Sequence, residues 1–140
     1  AWYLPIMLFC KALVFGGIEE IGWRYFFQSA LQEKLTYLVS TLFTFLAWSL
    51  WHLLYFYIDG SLTTIQLLPF LLGLLSNCFI LSTIYTKTRS LWLCVMTHAL
   101  INALSQLPST ESVWLSLVIK LLIILLAMKI AGSSMEKMKS

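Results

Sequence analysis

Charged residues are scarce in this sequence. Nine Lys and Arg and six Asp and Glu make up 11% of its 140 residues, whereas a soluble domain carries about twice that fraction. Apolar residues make up 60%, and the mean hydropathy is +0.87. This composition excludes an ordinary soluble domain. The net charge of +3 is too small and too scattered to indicate nucleic-acid binding.

Patterns of other protein classes are missing too. Strands of alternating polarity, which a membrane-spanning β-barrel needs, do not occur, because the apolar runs are continuous and long. The three cysteines, Cys10, Cys78 and Cys94, form no CxxC pair, so we interpret them as small hydrophobic residues. The HExxH zinc signature of a single helix is absent. The sequence therefore predicts an all-α fold, a polytopic bundle of membrane helices.

The apolar runs predict about five transmembrane segments. The first begins near Pro5, a residue tolerated in a first helical turn. It is predicted to continue through the glycine pair at residues 16–17 to about Gln32, which keeps a pair of glutamates inside the membrane. The other segments cover residues 35–57, 62–85, 91–107 and 113–131.

The predicted segments form a single domain of residues 1–131, followed by a polar C-terminal tail of residues 132–140. Basic residues occur in alternate loops and in the tail. The positive-inside rule then places the tail in the cytoplasm. We therefore expect a multi-pass protein of the cell membrane, surrounded by the lipid bilayer.

The costliest charges lie in the first segment, at residues 19–24, which read EEIGWR. Ionisable residues inside a membrane are usually kept for function. Glu20 and Arg24 are four residues apart, so on a helix they share a face and can form an ion pair. Glu19 points about 100° away from Glu20 and has no evident local partner.

Two further segments carry polar residues in apolar surroundings. His52 lies four residues after Trp48 and therefore beside its indole, and His98 shares a helix face with Asn102. Together with Glu19, these groups would form one buried cluster if the three faces meet. The carboxylate could take a proton from water that an imidazole positions. The second imidazole and the amide could donate to the oxyanion that develops on a peptide carbonyl.

Other interpretations of the same residues stay open from spacing alone. Glu19, His52 and His98 also suit a zinc ion with one open coordination position. Each histidine could instead be a helix–helix hydrogen-bonding group, and the Glu–Arg pair could be purely structural. For Asn77 we expect a packing role, and for Lys120 we expect the side chain to snorkel toward the lipid headgroups.

Three short motifs on separate apolar segments make the chain resemble the CPBP family of intramembrane proteases, also called the Abi or CAAX prenyl protease 2-like family. The EExxxR motif of the family is matched by residues 19–24, and its HxxxN motif by residues 98–102, which read HALIN. The second motif of the family is usually FxxxH. It reads WSLWH at residues 48–52, with Trp where Phe is commoner. The three motifs in this order are specific together, and they cover residues 19–102.

The resemblance implies a helical membrane domain with its site in a cavity within the bilayer. It implies an intramembrane endopeptidase that cleaves membrane-associated or prenylated, CAAX-like peptides. Glu19 is the implied base, and His52, His98 and Asn102 are the implied water-positioning and oxyanion-binding groups. The predicted catalytic residues are Glu19, Glu20, Arg24, His52, His98 and Asn102.

Members of the family are often described as metalloproteases, yet a mechanism based on glutamate that requires no cofactor also fits these residues and is the one we favour. Zinc, if it is used, would be bound by Glu19, His52 and His98. The short chain resembles bacterial members, which favours the bacterial plasma membrane.

Two rival functions use the same residues without proteolysis. The chain could be a non-catalytic bacteriocin self-immunity or membrane scaffold protein of the same fold. The intramembrane carboxylates could also serve a small ion or proton pathway. The intact set of three motifs favours the enzyme.

Overall fold

The computed structural model describes residues 3–106 and 112–137. Within these ranges the chain forms helices and connecting loops, and no strand occurs in them, so the predicted all-α fold is confirmed. The helical elements are α1 (Leu4–Glu20), a π-helical segment (Ile21–Gln28), α2 (Ser29–Gln32), α3 (Tyr37–Asp59), α4 (Leu67–Thr88), α5 (Leu91–Ser105) and α6 (Val113–Lys137).

The first segment is continuous from α1 through the π-helical segment to α2, as predicted. The glycine pair does not break it but lets α5 approach closely. A Cβ on Gly17 would lie 2.8 Å from Val95 Cγ1, and one on Gly16 would lie 3.2 Å from Asn102 Nδ2. The π-helical turns that follow, Ile21–Gln28, are of a type that is frequent at functional sites.

Local capping sets the ends of the next helices. The Thr36 hydroxyl accepts a hydrogen bond from the backbone N–H of Val39 at the start of α3, and the Ser90 hydroxyl does the same for Leu93 at the start of α5. Helix α3 ends at Gly60, whose φ of 76° is in the left-handed region that glycine adopts without strain.

Helix α4 lies at the centre of the bundle. It packs against α3, α5, α6 and the π-helical segment, while α1 packs mainly on α5. Around α4 a buried cluster joins the helices, and two of the three cysteines belong to it, in agreement with their interpretation as hydrophobic residues. The buried members are Trp48, Leu74, Cys78, Leu81, Tyr85 and Cys94.

Three helices of the described chain are long and apolar enough to cross a membrane: α3, α4, and α6 over Trp114–Gly132. Helix α5 is apolar but shorter, with 15 residues. Large apolar side chains cover the outside of the bundle, among them Phe15, Ile58 and Trp114, which are 69%, 82% and 79% exposed. Lipid tails would cover such a surface.

The predicted fifth membrane segment, residues 113–131, agrees with the apolar span Trp114–Gly132 of α6. The helical backbone continues beyond this span to Lys137. The predicted polar tail therefore begins as a continuation of the helix. The predicted turn at residues 108–112 lies outside the described residues except for Ser112, and so do tail residues 138–140.

Candidate active site

An open cavity of about 370 Å³ lies where α1, α3, α4, α5 and α6 meet. Its wall is mixed, with carboxylate, imidazole, amide and amine groups among apolar side chains. The lining residues are Glu19, Trp48, His52, Pro69, Phe70, Gly73, Leu74, Ser76, Asn77, His98, Ile101, Asn102, Ser105 and Lys120.

Four of the six predicted site residues line this cavity. Glu19 comes from the end of α1, His52 from α3, and both His98 and Asn102 from α5. The structure thus brings together three helix faces that are far apart in sequence. The other two predicted residues, the buried ion pair, lie behind the cavity wall.

Glu19 has a partner that its own helix could not supply. The indole Nε1–H of Trp48 donates to Glu19 Oε2 at 2.9 Å. Because Trp48 is only 1% exposed, the bond is fixed by packing. The other carboxylate oxygen of Glu19 has no hydrogen-bond partner within the described part of the chain, so it is available in the cavity to a water molecule.

Glu20 connects the first segment to α5. His98 Nδ1 donates to Glu20 Oε1 at 2.8 Å, and Arg24 Nε lies 3.2 Å from Glu20 Oε2. The second contact is an ion pair that lacks the alignment of a hydrogen bond. Neither Arg24 Nε nor Glu20 Oε2 makes a hydrogen bond within the described residues. The pairing of Glu20 with Arg24 that the spacing predicted is therefore present, and both side chains are fully buried.

Arg24 is held by more than its carboxylate. The guanidinium carbon lies 4.9 Å from the centre of the Trp48 ring, a cation–π distance. Its Nη1 and Nη2 atoms donate to no group of the described residues. Trp48 therefore contacts the charges of the first segment twice, through its N–H and through its ring face.

The hydrogen bond of His52 indicates which of its ring nitrogens carries the proton. His52 Nδ1 lies 2.9 Å from the carbonyl oxygen of Trp48. A carbonyl only accepts, so Nδ1 carries the proton, and in the neutral ring Nε2 is an acceptor. Both imidazoles pack against the indole, with ring centres at 5.6 Å for His52 and 5.4 Å for His98. They therefore lie at the same level of the bundle.

Gly16 provides the recess in which the α5 groups lie. His98 Nε2 and Asn102 Nδ2 would be 3.4 Å and 3.2 Å from a Cβ placed on that glycine. Two nitrogen atoms therefore come close to the same point beside α1. One is the amide donor of Asn102, and the other is the nitrogen of His98 that Glu20 leaves free.

Sequence reasoning missed two features of the cavity. It noticed Trp48 as a neighbour of His52 but not as the hydrogen-bond donor to Glu19, because that contact joins two helices. It also interpreted Lys120 as a snorkelling residue and Asn77 as a packing residue, whereas both line the cavity. An isolated intramembrane charge is a functional signal by default, and that signal was present at Lys120.

A zinc site has no ready-made ligand group here. In the described residues no group of three or more His, Cys, Asp or Glu side chains is arranged so that it could hold a metal ion. The expected ligands Glu19, His52 and His98 share the cavity without forming such a group.

Comparison with known proteins identifies the family. No curated protein and no solved structure matches the chain. The family model described as type II CAAX prenyl endopeptidase Rce1-like matches residues 1–104, which include all three motifs. This match covers about three quarters of the 140 residues. The chain therefore belongs to the Rce1-like family of type II CAAX prenyl endopeptidases, a family of multi-pass membrane proteases.

Proposed function

We propose that this protein is an intramembrane endopeptidase in which Glu19 activates a water molecule against a peptide carbonyl. The substrates would be membrane-associated or prenylated, CAAX-like peptides, and the protein would act in a bacterial plasma membrane without a cofactor. The observation that carries the proposal is the single cavity shared by Glu19, His52, His98 and Asn102. Family membership supports the reaction class.

Water activation follows from the contacts of Glu19. The Trp48 N–H holds Oε2, so the carboxylate is oriented and Oε1 accepts the proton of a water in the cavity. His52 Nε2, an acceptor in the neutral ring, takes the second water hydrogen in a hydrogen bond and aims the lone pair of the water at the substrate. The water oxygen then forms a bond to the carbonyl carbon, and the carbonyl oxygen becomes an oxyanion.

Stabilisation of the oxyanion is assigned to the two groups beside Gly16. The Asn102 amide donates an N–H without any change of protonation. His98 donates through Nε2 as an imidazolium, and the Glu20 carboxylate at 2.8 Å from Nδ1 stabilises that positive charge. Glu20 is therefore proposed to orient and charge the imidazole instead of acting as a base, and Arg24 pairs with the Glu20 carboxylate.

The tetrahedral intermediate collapses by breaking the C–N bond. The proton that Glu19 took from water passes to the leaving amine, so Glu19 acts first as base and then as acid. The hydrolysis is balanced, because water supplies the hydroxyl of the new carboxyl end and the proton of the new amine end. The site regenerates with Glu19 ionised.

The test is an isosteric change of the base. Glu19→Gln keeps the shape of the side chain and an oxygen that can accept from Trp48, but it removes the basic carboxylate. We expect it to abolish cleavage of a fluorogenic CAAX-like peptide by the purified protein in liposomes, with unchanged yield and melting temperature. Glu33→Gln is the matched control, because Glu33 is exposed in the loop after α2. This variant should cleave the peptide at the wild-type rate.

A fully active Glu19→Gln variant would refute the proposal. The self-immunity or scaffold alternative makes the opposite prediction, since a protective or binding phenotype would survive this substitution. Comparing the C-termini of membrane peptides from wild-type and Glu19→Gln cells would identify the natural substrates.

A further inference from the structure

Lys120 is a partly buried cation that has no role in the proposed chemistry. It lies in the first part of α6, in the apolar stretch Trp114–Gly132, and its side chain lines the catalytic cavity. Its amine lies beside the backbone of α4, because a Cβ placed on Gly73 would be 3.9 Å from Nζ. Helix α6 follows the residues that the family model matches, so this cation is a feature of the chain's own C-terminal part.

The placement of Lys120 differs from that of the other lysine in the same stretch. Lys129 is exposed, whereas Lys120 is partly buried. The two are nine residues apart, which at 3.6 residues per turn puts them about 180° apart around the helix. Lys129 is thus on the side of α6 opposite to the cavity, where a side chain can snorkel to the headgroups, while Lys120 is directed into the bundle.

The amine of Lys120 makes no ion pair in the described part of the chain, although the carboxylate of Glu19 lines the same cavity. None of the ion pairs or hydrogen bonds found there involves it. An ammonium group in an apolar surrounding is expensive unless an anion pairs with it. A cation without an ion pair in this cavity is therefore a candidate binding group for an anionic ligand.

Asn77 adds an uncharged donor on the same side. It is one helical turn after Gly73 on α4, so both residues share the face that the Lys120 side chain approaches. Asn77 lines the cavity, and its amide makes no hydrogen bond within the described residues. A cation and an amide N–H together suit the two oxygens of a carboxylate.

We propose that Lys120 and Asn77 bind the C-terminal carboxylate of the peptide substrate. This inference rests on the proposed function, because the same cavity must hold the scissile bond at Glu19. The cavity of about 370 Å³ is at the small end of ligand pockets. Each residue of an extended peptide takes up about 3.3–3.6 Å of its length. The cavity accommodates a few residues beyond the scissile bond. The pair would therefore restrict cleavage to bonds close to a free C-terminus.

The test uses two fluorogenic peptides that differ only at the last group, a carboxylate or a carboxamide. For the wild type we expect kcat/KM to favour the acid by roughly ten- to hundredfold, mainly through KM, as for a charged hydrogen bond. Lys120→Met should bring this ratio close to one, and Lys120→Arg should retain part of it. Lys129→Met is the matched control and should keep the wild-type ratio.

A wild-type enzyme that cleaves both peptides equally, or a Lys120→Met variant that keeps the wild-type ratio, would overturn the inference while leaving the endopeptidase intact. The second result is the one expected if Lys120 only adjusts the electrostatics of Glu19. A carboxamide peptide with an acidic last side chain that is preferred as strongly as the acid would contradict the assignment to the terminus.

Binding is measured in parallel on the Glu19→Gln variant with the same two peptides. Tighter binding of the acid, lost when Lys120→Met is added, supports the carboxylate site even if the wild type cleaves neither peptide. Equal binding of both peptides refutes the site independently of catalysis. Failure of the carboxylate site and failure of the proposed hydrolysis therefore give different results.

Discussion

The close approach of α1 to α5 can be tested at Gly17. In Gly17→Ala the new methyl group would lie 2.8 Å from Val95 Cγ1, closer than two carbon atoms pack, so either the Val95 side chain or one of the helices must move. Gly22→Ala is the matched comparison, because a Cβ there has no neighbour within 4 Å. Both changes gain about 1 kcal/mol of helix propensity. The difference between them therefore reports the steric clash.

Overpacking of a tight contact costs about 1–3 kcal/mol, and we expect Gly17→Ala to be less stable than Gly22→Ala by that amount. Activity should fall as well, because Val95 is on α5 three residues before His98. A shift of α5 lengthens the 2.8 Å bond from His98 to Glu20. A misplacement of about 1 Å in a catalytic group costs on the order of a hundredfold in rate.

The assay combines thermal unfolding in detergent with cleavage of the fluorogenic peptide. Adding Val95→Ala to Gly17→Ala removes the clashing methyl group. The free energy of unfolding of the double variant should therefore be about 1–3 kcal/mol higher than the sum of the two single effects predicts. A Gly17→Ala variant as stable and as active as Gly22→Ala, or a double variant that is simply additive, would refute the close packing of α1 on α5.

Two further predictions concern the groups around Trp48. Trp48→Phe removes the N–H that donates to Glu19 and should lower kcat by roughly ten- to hundredfold with little change in KM. Trp51→Phe is the control, because this side chain on the same helix is 54% exposed. An unchanged kcat in Trp48→Phe would show that the bond does not orient the base. Arg24→Met leaves the buried carboxylate of Glu20 without its cation and should destabilise the protein by about 3–5 kcal/mol, measured by thermal unfolding; a variant as stable as the wild type would mean that Arg24 is not needed to hold that charge.

Most of the helical architecture was predictable because it depends on local composition. Long apolar runs and turn residues such as Gly60 placed most helix boundaries within three residues, but α4 begins at Leu67 instead of at residue 62. Continuation of the first segment past its glycine pair was also correct. The fifth apolar run, residues 113–131, matches the apolar span of α6. The helical backbone of residues 132–137 was not predicted, because their polarity indicated a tail outside the membrane.

The candidate site was predictable as a set of residues but not as a geometry. Spacing of four residues identified the pairing of Glu20 with Arg24, since both lie on one helical segment. It could not identify His98 as the hydrogen-bond partner of Glu20 or Trp48 as that of Glu19. Those contacts depend on how far apart two helices lie and how each is rotated about its axis, and local spacing carries no information on either quantity.

The sequence by itself determined that this is an all-helical membrane protein with costly polar groups on three apolar segments, because the bilayer admits few residue patterns and makes every exception conspicuous. Only the tertiary structure decided how those groups are arranged. Close packing at Gly16 and Gly17 brings α5 to α1, and the rotation of α6 directs Lys120 into the cavity and Lys129 away from it. These outcomes follow from side-chain packing between helices, which is a property of the assembled bundle.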